Sequence, residues 1–216
     1  MKRAIVVVVA LALSACSDEP PRNSTDIATA DLRMLFTLRG TPEKTVVAGS
    51  LTGPGPSPRL VEGDRLEFRT PLGTSPVGLV NGSFGFDLPP TGGDFELALL
   101  RAPDRGGDLS LKVFLAPPFA IRVPVTASRA APLTLTWDAA PGPHTTRLSL
   151  GGKCVATIQR TLGDVGTYTF NAFELSSSAA DPGTCTVTIE MVKVWSTYST
   201  YDLSIQSTRV TMEMTP

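Results

Sequence analysis

In the stretch DLRMLFTLRG, Leu32, Met34, Phe36 and Leu38 fall on one parity, and Asp31, Arg33, Thr37 and Arg39 on the other. A period of two predicts a strand with one face buried and one face wet. Short runs of the same kind follow at regular spacing: KTVVAGSL, DRLEFRT, GSFGFDL, DFELALLRA and DLSLKVFL. Between them lie TGPGPSP, LPPTGG and APDRGG, which are turn and loop chemistry. After LAPPF the pattern restarts with FAIRVP, PLTLTWD, TTRLSL, CVATIQ, GTYTFNAF, TCTVTIEMVKVW and LSIQSTRVTMEM. Nowhere is there a helical period long enough for a βα unit, so the expected fold class is all-β and antiparallel. About six strands before Pro117 and about seven after it predict two tandem small sandwiches of immunoglobulin-like type, residues 31–116 and 117–216, rather than one large barrel.

The last strands break the pattern twice. In TCTVTIEMVKVW the residues Cys185, Val187, Ile189, Met191 and Trp195 share a face on which Lys193 is the exception. Further on, Leu203 and Ile205 have one parity while Val210, Met212 and Met214 have the other. A bulge near Ser207 to Arg209 would return all of them to the core, because one extra residue flips the facing, and a slipped strand assignment is the duller explanation.

Two segments tie the second half to a known architecture. PLTLTWD resembles the B strand of fibronectin type III domains, whose Trp packs in the core; here that Trp is Trp137. GDVGTYTF resembles the tyrosine corner of immunoglobulin-like domains, with Asp164, Gly166 and Tyr168 in the pattern. That resemblance implies a Tyr hydroxyl bonded back to the main chain. Phe170 stands where an antibody-type domain has cysteine, so the usual bridge between sheets is not implied.

The N-terminus carries a different signal. Lys2 and Arg3 precede an apolar run over residues 4–13 that is too short to span a bilayer, the layout of a secretory signal peptide over 1–15. Leu13, Ser14, Ala15 and Cys16 resemble the lipobox of bacterial lipoproteins, which implies that Cys16 is lipidated and becomes the first mature residue. Residues 16–30, polar and Pro-containing, read as a flexible tether. Ser17 follows the cysteine, and the inner-membrane retention Asp is absent from that position. The resemblance therefore favours the outer membrane over the inner, with the protein held through its lipid and not spanning. The whole pattern resembles uncharacterised bacterial lipoproteins with two small β domains, sharing the PPF junction, the LTLTW strand, a cysteine pair and a closing Arg209-Val210 and Thr215-Pro216. That family brings no activity with it.

Charge and cysteine usage narrow the chemistry. Losing Lys2 and Arg3 from 19 basic side chains leaves 17 against 20 acidic ones, a net of −3, which offers nucleic acid no basic surface. With Cys16 lipidated, Cys154 and Cys185 remain in an exported chain and are expected to pair as a disulfide. The lone His144 sits in PGPHTT, where a solvated loop is the expectation and a Ser-His-Asp triad the unfavoured alternative. Asp104 and Asp108 flank RGG without the spacing of a calcium loop, Asp138 adds no recognisable pair, and no G-x-S-x-G elbow is present. No cofactor and no metal are expected. The segment VWSTYSTYD sets Trp195, Tyr198 and Tyr201 at a hairpin end, where exposed aromatics with hydroxyl neighbours would suit a sugar or a protein partner. Against this, Trp195 is in phase with the core. The expected function is a non-catalytic, lipid-anchored envelope lipoprotein that binds protein as an adhesion or accessory module. A glycan-binding module using residues 194–202 is the alternative, and a hydrolase ranks last.

Overall fold

The structure, a computed structural model, describes residues 20–61, 63–175, 183–196 and 203–216. Cys16, Tyr198 and Tyr201 lie outside the described residues. Among the described residues the chain is all-β, interrupted only by short 3-10 turns. Seven strands precede the Pro117 junction: β1 (Arg33–Gly40), β2 (Thr45–Thr52), β3 (Arg65–Thr70), β4 (Gly73–Val77), β5 (Ser83–Leu88), β6 (Gly93–Leu100) and β7 (Leu109–Leu115). Eight follow it: β8 (Ile121–Arg122), β9 (Thr126–Ser128), β10 (Leu133–Trp137), β11 (Thr145–Gly152), β12 (Val155–Leu162), β13 (Thr167–Phe170), β14 (Cys185–Ser196) and β15 (Leu203–Thr215).

The alternation in β1 does what its period dictates: Met34, Phe36 and Leu38 are buried and the residues between them are not. Two hydrophobic clusters result. One gathers Phe36, Phe68 and Phe95 with neighbours up to Leu115. The other runs from Phe119 through Trp137, Leu150, Phe170 and Ile189 to Met214. Strands β4, β3, β6 and β7 form one sheet over the first cluster, and β13, β10 and β8 a small sheet over the second. Facing both is a single eight-stranded sheet in the order β12, β11, β14, β15, β1, β2, β5, with β9 also on β15.

That shared sheet joins the two expected sandwiches through common strands. Its first half turns on β15, which pairs antiparallel with β14 along its length and parallel with β1 from Leu203 to Gln206. Its last residues, Glu213 to Thr215, take β9 as a parallel partner. The strand thus ends one module while lying at the edge of the other.

Of those two readings of β15, the bulge is absent. Its pairing with β14 runs without a shift from Cys185 opposite Met214 to Ser196 opposite Leu203. The parity is resolved the other way: Ser204, Gln206, Thr208, Met212 and Met214 face inward, and Ile205 faces out. The irregularity lies instead between β11 and β12, at Leu150 and Gly152. Strand β4 lacked a readable pattern because it is an edge strand with Pro76 inside it, a position where a missing N–H does no harm.

The described part of the proposed tether is docked. Ile27 and Leu32 are buried in the first core, and Asn23 bridges to Arg59. The fully buried guanidinium of Arg101 donates to Ser24 O at 2.7 Å, Ile27 O at 3.0 Å and Thr29 Oγ1 at 2.8 Å, and pairs with buried Asp64 at 3.3 Å. The segment whose polar composition suggested a loose tether instead supplies main-chain acceptors for a buried cation, which would otherwise be left without them. The APDRGG loop is part of the same clamp: Asp108 accepts the Arg101 main-chain N–H at 2.9 Å, and Arg105 reaches Asp64 at 3.2 Å.

Candidate functional site

The densest polar chemistry lies at the junction end of the second module. The β12–β13 loop, LGDVG, turns at Gly166 in the left-handed region (φ 80°), and Gly166 O accepts the Trp137 main-chain N–H at 2.9 Å. This holds Asp164 under the end of β10. Its carboxylate accepts from the Trp137 indole N–H, from Ala140 N at 2.7 Å, from His144 Nε2 at 2.8 Å and from Lys193 Nζ at 2.8 Å. The side chains of Asp164, His144 and Lys193 are 5%, 3% and 0% exposed, which decides that this is an interior group and not a surface ion pair.

Each partner is fixed from a second side. Lys193 also donates to Asp138 O at 2.6 Å and lies 4.3 Å from the centre of the Phe119 ring, a cation–π contact. His144 Nδ1 sits 2.8 Å from Gly142 O, and its ring stacks on Trp195 at 4.5 Å. Trp195 in turn meets Phe114, from the first module, edge-on at 6.3 Å. Burial pushes the Asp164 carboxyl upward, but the Lys193 ammonium and the other donors outweigh it and hold the group below its ordinary value.

Several expectations are corrected by this geometry. The His144 side chain is buried, because Asp164 gives the ring a hydrogen bond and Trp195 a surface to stack on. The tyrosine-corner residues separate in role: Asp164 organises the cluster, while the Tyr168 hydroxyl lies against the Arg160 guanidinium and helps hold that group's pKa above its ordinary value. Lys193, the exception on an apolar face, is wholly buried and is the counter-ion of Asp164. Trp195 is buried with one ring face spent on His144, so it is not presented to a ligand from the 194–202 segment. Cys154 and Cys185 are joined as a disulfide, with Cα atoms 5.7 Å apart, tying the start of β12 to the start of β14.

What the cluster can do follows from its occupancy. A histidine acting as general base needs one nitrogen oriented by a carboxylate and the other free for a nucleophile. Here the second nitrogen is held by Gly142 O, so His144 and Asp164 pair as in a triad without an outlet for its chemistry. Among the described residues no group of three or more His, Cys, Asp and Glu side chains converges to hold a metal ion. Two open concavities lie elsewhere, one on the outer face of the large sheet around Arg147, Gln159 and Glu190, the other beside β4 around Pro58, Val77 and Leu79. Neither includes the Asp164 cluster.

Fold and site together define an all-β chain of mainly antiparallel sheets with a buried, charge-paired junction. No family model and no curated protein matches the sequence. Among solved structures the chain is similar to one from a 1.5-MDa bacterial ice-binding adhesin, studied for its retention on the host cell surface. The identity there is 13%, with 85% of this chain and 64% of that one covered and a TM-score of 0.27. A tetra-tandem repeat from the extending region of a large adhesion protein gives 18% identity, 84% and 50% coverage and a TM-score of 0.26. A two-domain fibronectin type III segment of chicken tenascin gives 13% identity, 86% and 98% coverage and a TM-score of 0.31. The chain spans less than two thirds of the length of either adhesin structure. Likeness at this level assigns it no activity and no partner.

Proposed function

We propose that this chain is a non-catalytic envelope lipoprotein, anchored through lipid on Cys16, that presents two coupled β modules to a protein partner as an adhesion or accessory structural unit. The observation that carries the non-catalytic reading is the closure of the buried charge cluster around Asp164. Asp164, His144 and Lys193 are spent on one another and on main-chain oxygens, a use of charge that specifies packing and leaves none of the three free to move a proton. The anchor rests on the apolar run and Leu13-Ser14-Ala15-Cys16, and two or three acyl chains would hold the protein to a membrane almost irreversibly. The docked segment from Asn23 to Leu32 supports a presenting role, since an anchor at Cys16, seven positions before Asn23, would keep the first module near the membrane.

The test is expression of the full chain in a Gram-negative host with radiolabelled palmitate, beside Cys16→Ser, followed by membrane fractionation and crosslinking. Label and outer-membrane association in the native chain, both lost in the variant, with a defined protein recovered by crosslinking, support the proposal. Label persisting in the variant overturns the anchor, and turnover of an envelope substrate by the purified chain overturns the non-catalytic reading.

A further inference from the structure

Four of the five buried side-chain polar atoms without a protein hydrogen-bond partner among the described residues fall at one place. They are Thr146 Oγ1, Trp195 Nε1 and the Gln206 Nε2 and Oε1. The register explains why. Thr146 on β11 stands opposite Lys193 on β14, and Lys193 opposite Gln206 on β15, which stands beside Gly40 on β1. This is one rung crossing the large sheet from the second module into the first, and Trp195 is the next inward residue along β14. Side chains opposite one another in a sheet lie about 5 Å apart, so the orphaned groups line one continuous strip around the Lys193 stem. Thr146, Lys193 and Gln206 are each 0% exposed, which decides that bulk solvent does not satisfy them.

Orphaned groups scattered through a core would each be a separate penalty. Gathered along one rung, with Thr146 and Gln206 about 10 Å apart on either side of Lys193, they call for a short row of waters, not one. We infer that the module junction is a hydrated seam, a built site for ordered water on the rung Thr146, Lys193, Gln206 and at the Trp195 indole. Water fits the donor set, because the indole only donates, the Gln206 amide both donates and accepts, and the Thr146 hydroxyl does either; one water makes about three such bonds. An ion fits less well, since the fixed charge on the strip, Lys193, is already matched by Asp164 at 2.8 Å. Gly40 belongs to the same site: a Cβ there would stand 1.9 Å from the Gln206 Oε1, so glycine makes room for the amide that faces the seam.

The chain has two tryptophans, which gives the experiment an internal reference. In the isotope-labelled, disulfide-bonded protein, residues 17–216, the Trp195 indole N–H and the Gln206 side-chain amide are expected to show cross-relaxation with long-lived bound water. The Trp137 indole, which donates to Asp164, is expected to show none. Thr146→Val, close to isosteric, is expected to lower Tm by about 2 to 4 °C, because bound water loses a partner. A Trp195 indole without water contact overturns the inference. So does a rise in Tm for Thr146→Val, which is what removal of an orphaned hydroxyl from a dry site produces. Should that variant fail to fold, the resonances of the native protein decide alone.

Discussion

Lys193 offers the sharpest check on how this fold is held. Replacing it with methionine keeps the length of the stem and its burial among Met191, Trp195 and Phe119 but deletes the ammonium. Asp164 would remain 5% exposed, with its Lys193 bond gone and the Trp137, Ala140 and His144 donors still in place. Breaking a buried pair by removing one partner costs about 3 to 5 kcal/mol, and the surviving donors put this case near the low end. At roughly 3 kcal/mol, a chain of this size should lose about 6 to 12 °C in Tm. Calorimetry on the oxidised protein, with Lys193→Met, Asp164→Asn and the double variant, measures both the loss and its coupling. If the pair is what matters, the double variant should be less destabilised than the two single losses added together. A Lys193→Met loss below about 1 kcal/mol would refute the claim that the ammonium is needed to keep Asp164 charged in the interior.

Asp164→Asn should also change the pH profile. A carboxyl held below its ordinary value stabilises the fold above that value, and the contribution disappears as pH falls through the lowered folded value. The native protein should therefore outlast Asp164→Asn by most near neutral pH and by progressively less below about pH 4, measured by urea midpoints across that range. Reducing Cys154–Cys185, or replacing both with serine, should cost about 3 to 4 kcal/mol for a closed loop of this size, read as the shift in denaturation midpoint with and without reductant. Arg101→Met should free the segment from Ser24 to Thr29, so that limited proteolysis cuts between Asn23 and Leu32 in the variant while sparing the native chain.

Period-two alternation exposed most of the strands, because a strand with one wet face writes its parity into the sequence. β1, β10 and β14 were legible for that reason. β4, an edge strand with Pro76 and four exposed residues, wrote no such parity and went unread. The polar cluster was legible only as an anomaly. His144, Asp164 and Lys193 are separated by 20 and 29 positions and meet only because β11, β14 and the β12–β13 loop converge. Yet a lysine in phase with Met191 and Trp195 is itself a signal, since a cation on an apolar face requires an acid to meet it. Reading Lys193 as a demand for a buried carboxylate would have pointed to the Asp of GDVG. The same applies to Ser204, Gln206 and Thr208, whose inward parity looked like a slipped strand and was in fact a polar boundary between two cores.

The parallel pairing of β1 with the first part of β15 also determines how the molecule would respond to tension. A pull applied through the docked N-terminal segment reaches the first module at the Arg101 clamp before it reaches β1. Drawn against the far end of β15, the two strands slide along one another, so the bonds between Thr37–Gly40 and Leu203–Gln206 are stretched together instead of opening one at a time. Shear of that kind resists force far better than peeling does. The junction between the modules is thus a mechanical coupling, stiff along the line from the docked N-terminal segment to the far end of β15.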